Sequence, residues 1–173
     1  MSNEPTRLSG TSYAVLGLID AWGPCTPYDL KTAIETTVQN FWPVPHTTFY
    51  VEPDRLAKAG LLSVDQEEHG RRRKLYSTTP AGKKALAAWI AEPTAAPPQL
   101  RDELVLKIFL GADPEPLAEE RVEFHRAKLA ELEGYLEAVR GGEGHTPGIE
   151  RSLVVGTTYE RAVLSVFEKL RPS

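Results

Sequence analysis

Residues 45–74 read PHTTFYVEPDRLAKAGLLSVDQEEHGRRRK, and the reading of this stretch decides the fold. Its first half predicts a short helix over His46–Ala59, closed by Gly60, a residue that readily adopts the left-handed conformation of a helix stop. Its second half changes to strand character: Leu61-Leu62-Ser63-Val64-Asp65 opens a strand, His69-Gly70 supplies a turn and Arg73-Lys74-Leu75-Tyr76-Ser77 returns. The tip, Gly70-Arg71-Arg72-Arg73-Lys74, carries four cations in a row. Such a run repels itself and gains little unless a polyanion is present. A helix fronted by small polar residues and a tyrosine, beside a basic arm, is the pairing expected of a winged helix that meets DNA.

The flanking sequence completes that architecture. Ser9 is placed to cap a helix whose apolar positions are Tyr13, Leu16, Gly17, Ile19 and Ala21, ending near Gly23-Pro24. Thr26-Pro27-Tyr28-Asp29 starts the next helix, with Thr26 as cap, proline at the first helical position and Asp29 near the capping-box site. That helix is expected to run to about Val38, with Leu30, Ala33, Ile34 and Thr37 inward. Phe41-Trp42-Pro43-Val44-Pro45 is an apolar, proline-stiffened connection, and Phe41 and Trp42 are expected to plug the core beneath the following helix. After the hairpin, Thr79-Pro80 caps a helix carrying Leu86, Trp89 and Ile90 and stopped by Pro93. Helix, helix, helix, strand, strand is the order of a winged helix-turn-helix, assigned to residues 1–93.

Thr94-Ala95-Ala96-Pro97-Pro98 is a linker by composition, and residues 99–173 read as a second, helical domain. Leu100–Leu110 forms a helix, and Asp113-Pro114 opens a long one. In it Val122, His125, Leu129, Leu132, Leu136 and Val139 recur at alternating steps of four and three, a heptad seam. Gly141–Gly148 turns the chain, with Thr146-Pro147 as a fresh cap. The last helix is apolar on a wider arc that includes Leu153, Tyr159, Val163, Leu164 and Phe167. The seam and the arc together predict dimerisation through Val122, Leu129, Leu132, Leu136, Leu153, Tyr159, Val163 and Phe167, with the same segment of a second chain as partner. The fold class is therefore mainly α with a small β-hairpin.

Composition narrows the function. The 173 residues are 41% hydrophobic and 25% charged, ordinary for a globular protein. The net charge of −4 argues against coating DNA by charge alone, yet residues 1–95 hold ten cations and ten acids, while residues 96–173 hold ten and fourteen. No acid stands between His69 and Ala91, whereas Arg71, Arg72, Arg73, Lys74, Lys83 and Lys84 all do. The single Cys25 excludes an internal disulfide and a zinc framework. Neither an apolar leader nor a run of roughly 18 apolar residues occurs, so a cytoplasmic protein that does not enter membranes is expected. There is no nucleophile elbow, phosphate-binding glycine loop or pair of metal-spaced His or Cys residues, so no enzyme, metal or cofactor is expected.

The chain resembles the PadR family of bacterial transcriptional regulators over nearly its whole length. The resemblance is carried by Leu16-Gly17-Leu18-Ile19, Gly23-Pro24, Tyr28-Asp29-Leu30, Asn40-Phe41-Trp42, Thr48-Phe49-Tyr50, Arg55-Leu56, Ala59-Gly60-Leu61, Arg71–Tyr76 and Thr79-Pro80-Ala81-Gly82. Trp89–Pro93 followed by Arg101-Asp102-Glu103-Leu104 is similar to the subgroup with a long helical C-terminal domain. The resemblance implies a homodimer joined through its C-terminal helices, two winged helices on an inverted-repeat operator in double-stranded DNA, and most often repression, which several members lift on binding a small, often phenolic or planar, effector. Two positions depart from the family. Pro45 replaces the usual serine at the front of the recognition helix, removing its hydroxyl. Pro53 replaces leucine inside it, which removes the bond to the Phe49 carbonyl, would cost about 3 kcal/mol in a straight helix and predicts a kink after Tyr50.

The candidate DNA contacts are Thr47, Thr48 and Tyr50 at the helix front, His46 as a cap or a phosphate contact, Lys31 and Arg55 as further phosphate contacts, and Arg71, Arg72, Arg73 and Lys74 on the wing. Phe49 is expected to pack inward, and alternation along the strand sets Arg71 and Arg73 opposite Arg72 and Lys74. Trp89 reads as an interdomain core residue or, with Tyr13 and Tyr159, as the lining of a pocket for a small aromatic effector. His125 reads as a polar residue that fixes helix register. A winged-helix protein-interaction module and a ligand sensor with little DNA binding are the competing functions.

Overall fold

The computed structural model describes residues 7–66, 73–95, 97, 101–142 and 147–170. The chain divides into two compact units, Met1–Ala96 and Pro97–Ser173. The turn at His69-Gly70, with Arg71 and Arg72, and the cap at Thr146 lie outside the described residues.

In the first unit, local capping fixes the helix starts. Helix α1, Gly10–Trp22, begins in a capping box in which Ser9 and Ser12 each bond the other's backbone N–H. Helix α2, Pro27–Thr36, begins in a second box between Thr26 and Asp29. It ends before the expected Val38, where Val38–Asn40 tightens into a 3-10 turn. Helix α3, Thr48–Lys58, is shorter at its front than sequence predicts. Pro45, His46 and Thr47 enter through three-residue turns, with their carbonyls accepting from Thr48, Phe49 and Tyr50. The segment remains one α-helix through Pro53, whose ring is fully buried; that burial offsets the hydrogen bond its missing N–H denies the Phe49 carbonyl. Gly60 then closes α3 at φ +74°, with its N–H on Ala57 and that of Leu61 on Leu56, a Schellman stop.

Strands β1, Leu62–Gln66, and β2, Lys74–Thr78, pair antiparallel in a register running from Leu62 opposite Thr78 to Gln66 opposite Lys74. Cys25 exchanges both backbone bonds with Tyr76 and so adds a single rung beside β2, which periodicity could not reveal. Helix α4, Pro80–Ala91, is capped by Thr79. The core joins Val15, Leu16 and Ile19 of α1 to Leu30 and Ile34 of α2, Phe49 and Leu56 of α3, and Leu62, Tyr76 and Leu86. Phe41 and Trp42 do not plug it: they are 64% and 44% exposed, and Val44 and Phe49 fill the space instead. The Trp42 indole lies across Gly10 and donates to Thr11, so Trp42 packs on the outside of α1.

In the second unit, α5, Glu103–Phe109, leads to two long helices, α6, Glu115–Arg140, and α7, Pro147–Lys169. These pack antiparallel, as the bridges Arg126–Glu168, Arg161–Glu133 and Arg140–Glu150 establish. The α6 seam packs on α7 within the chain. Val122, Leu132 and Phe167 are buried within one chain, and Leu129, Leu136, Leu153 and Val163 are half-buried; only Tyr159 of the set is exposed. The seam finds its partner in α7, because a hairpin delivers the apolar arc at far lower entropic cost than association. His125 sits inside this interface with Nδ1 2.6 Å from Glu160 Oε2 and its ring stacked on Phe167.

Candidate DNA-binding face

Helix α3 buries Phe49, Pro53 and Leu56 and turns the opposite stripe outward: Thr47, Tyr50, Val51, Asp54 and Lys58. The spacing is that of one helix face, so three and four residues separate its neighbours. Tyr50 and Val51 are 55% and 63% exposed, and Thr48 is half-buried at the edge. Val51, Asp54 and Lys58 were not singled out from sequence, although continuing the helical period from Thr47 would have found them.

Each further candidate is accounted for by a specific partner. His46 lies with Nε2 3.6 Å from Glu35, and Lys31 Nζ stands 3.4 Å from the same carboxylate. These are exposed pairs of small energy, free to exchange a carboxylate for a phosphate. Arg55 is engaged inward. Its guanidinium donates to both oxygens of Glu52 and, at 2.8 Å, to the buried Ser12 hydroxyl. For Glu52, burial raises the carboxyl pKa, but the bonds from Arg55 and Ser12 and the Arg55 charge outweigh it and leave it lowered. Arg55 therefore ties α3 to the start of α1.

At the wing, alternation separates neighbours as expected. Arg73 is exposed and lines a shallow cleft with Thr26, Asp29, Asp65 and Leu75. Lys74 points the other way, Nζ lying 2.7 and 2.8 Å from the two oxygens of Asp54 on α3. The Tyr76 hydroxyl donates to the same carboxylate at 2.6 Å. These bonds, that of Lys74 first, hold Asp54 below the usual carboxylate range. Burial, and then Asp54, push the Tyr76 phenol upward.

Tyr13 and Trp89 stack in parallel, ring centroids 4.5 Å apart and planes within 6°, so Trp89 packs on α1 of its own unit and is 42% exposed. Tyr159 belongs to the second unit. Burial, and then the nearby Asp29 charge, raise the Cys25 thiol to about 11, leaving it protonated and unreactive near neutrality. Among the described residues, no helix is long and apolar enough to cross a membrane, and no cluster of His, Cys, Asp or Glu is arranged to hold a metal.

Three helices, a two-stranded wing and an outward stripe on the third helix define the first unit as a winged helix-turn-helix domain. Residues 15–88 match the model of the transcriptional regulator PadR-like family, so this chain carries a PadR-like domain there. The chain is 26% identical over 132 residues to the negative transcriptional regulator PadR of Bacillus subtilis, covering 72% of each protein. Its fold is similar to that of B. subtilis PadR in complex with operator DNA, with a TM-score of 0.81 and 24% identity over 94% of this chain and 97% of that one. The same protein in complex with p-coumaric acid gives 0.73 and 23%, over 98% and 96%. The Vibrio cholerae virulence activator AphA gives 0.68 and 23%, over 92% and 94%. A PadR-like winged helix-turn-helix domain is what these findings define for the first unit.

Proposed function

We propose that this protein is a homodimeric, sequence-specific DNA-binding regulator that represses transcription and is released from its operator by a small aromatic effector. The observation that carries the reading is the outward stripe of α3, Thr47, Tyr50, Val51 and Lys58, beside the basic wing. Thr47, Thr48 and Tyr50 enter the major groove and read base edges. Arg71, Arg72 and Arg73 hold phosphate and set register, with Lys31 and His46 as flanking contacts. Arg55 acts from within by orienting α3. The relative named as a negative regulator supports repression, and the relative solved with p-coumaric acid supports a planar aromatic acid as effector. The exposed face of Trp89, already stacked on Tyr13, is the surface proposed to receive it.

A second copy is proposed to cover the apolar side chains that the second unit leaves outward, among them Phe109, Val155, Tyr159 and Val166, together with the half-buried Leu129, Leu136, Leu153 and Val163. The test is to sequence the genomic fragments that the purified protein retains and to measure its mass in solution. An inverted repeat bound by a dimer is expected. A protein that is monomeric at working concentrations, or that retains no preferred fragment at moderate salt, overturns the reading.

A further inference from the structure

We propose that Asp54 is a positioning residue of the DNA-binding face: by capturing Lys74 and Tyr76 it locks the wing to α3 and withholds Lys74 from phosphate. This rests on the DNA-binding reading above and assigns different tasks to two cations adjacent in sequence.

Asp54 stands on the outward stripe of α3, between Val51 and Lys58. A bare carboxylate there would face the negative potential of a duplex and oppose binding. Three hydrogen bonds converge on it instead, two from the Lys74 ammonium and one from the Tyr76 hydroxyl. The Lys74–Asp54 pair is half-exposed, and such a pair alone would be a weak tether. Tyr76 changes this. It is 1% exposed, its backbone is bonded to Cys25, and its hydroxyl is thereby fixed beneath α3. The carboxylate is thus anchored to a group that cannot swing away, and Lys74 is anchored to the carboxylate. Lys74 pairs with Gln66 in the final rung of the described ladder, so the tether acts where β2 leaves the wing tip. Arg73, one residue earlier, lines a cleft with Thr26, Asp29, Asp65 and Leu75, away from Asp54. It is Arg73, then, that faces phosphate, while Lys74 sets the angle between wing and helix.

The experiment is equilibrium binding of the full-length protein to a retained genomic fragment and to a scrambled duplex of equal length, across a salt series. Neutralising a true phosphate contact flattens the slope of log affinity against log salt by about 0.9 per contact. Arg73→Gln is expected to do so; Lys74→Gln is expected to leave the slope unchanged and to reduce discrimination between fragment and scrambled duplex. Asp54→Asn releases Lys74, so binding to scrambled duplex should tighten and its slope steepen by about 0.9 per freed cation. Tyr76→Phe keeps the core ring and should reproduce part of the Asp54→Asn effect, with thermal melting confirming that each variant is folded. A slope for Lys74→Gln as flat as for Arg73→Gln overturns the inference, as does an Asp54→Asn variant identical to wild type. Wild-type protein that binds neither duplex removes the DNA-binding reading itself, and this inference with it.

Discussion

The Arg55 guanidinium of α3 donates to the Ser12 hydroxyl, 2.8 Å away and 43 residues earlier in the chain. Ser12 is fully buried and also closes the capping box of α1, so one hydroxyl joins the start of the first helix to the middle of the third. Arg55→Ala strands Glu52, whose side chain is only 12% exposed, and should destabilise the first unit by roughly 1–3 kcal/mol. Ser12→Ala removes a cap bond and an acceptor and should cost about 1 kcal/mol. Urea unfolding followed by the fluorescence of Trp22, Trp42 and Trp89, all in the first unit, measures both.

Gly82 and Gly134 are expected to respond in opposite directions to alanine. A Cβ at Gly82 would overlap the Leu61 carbonyl, so Gly82→Ala must push α4 away from the turn that leads from α3 into β1 and should cost about 1–3 kcal/mol. A Cβ at Gly134, within α6, meets nothing, and alanine there should stabilise by about 0.5–1 kcal/mol. Paired melting curves decide this, and a destabilising Gly134→Ala would count against the argument.

Acid should weaken the first unit through carboxylates that the fold holds low, Asp29 and Asp54 among them. The Thr26 backbone N–H, then the Thr26 hydroxyl, hold Asp29 below the ordinary carboxylate range; Lys74, then Tyr76, do so for Asp54. A lowered value in the folded state means that the unfolded chain binds more protons, so the stability is complete above the ordinary value and is lost as pH falls through the folded values. Melting temperature followed from about pH 6 down to about pH 3 should fall less steeply for Asp29→Asn with Asp54→Asn than for wild type.

The buried His125–Glu160 pair should behave as a unit. Nε2 of His125 is buried without a hydrogen-bond partner among the described residues, and Glu160 has little access to water. His125→Leu or Glu160→Leu alone leaves one polar group stranded and should cost roughly 2–4 kcal/mol, whereas the double substitution should recover most of the loss. A double-mutant cycle on the unfolding free energy tests this; additive losses would dissolve the pair.

On the proposed reading of base edges by the α3 face, Tyr50→Ala and Thr47→Ala should change which fragments are preferred. Arg73→Ala should weaken all duplexes alike, because phosphates are the same everywhere. Competition binding against a randomised duplex separates the two behaviours.

Features decided between near neighbours are legible in the sequence. The caps at Ser9, Thr26 and Thr79, the stop at Gly60, the inward Phe49 and the alternation of Arg73 and Lys74 are set by bonds spanning a few residues or by a single helical or strand period. The order of these elements, with the motifs carried between them, was enough to reach the winged helix-turn-helix and its PadR-like character. Only the tertiary structure decided which long-range partner each surface takes. It gave Lys74 to Asp54, Arg55 to Ser12 and the α6 seam to α7, and it left Phe41 and Trp42 outside the core. The reason is physical: a carboxylate, a guanidinium or an apolar stripe is equally satisfied by many partners, and which one it meets depends on the path of the whole chain.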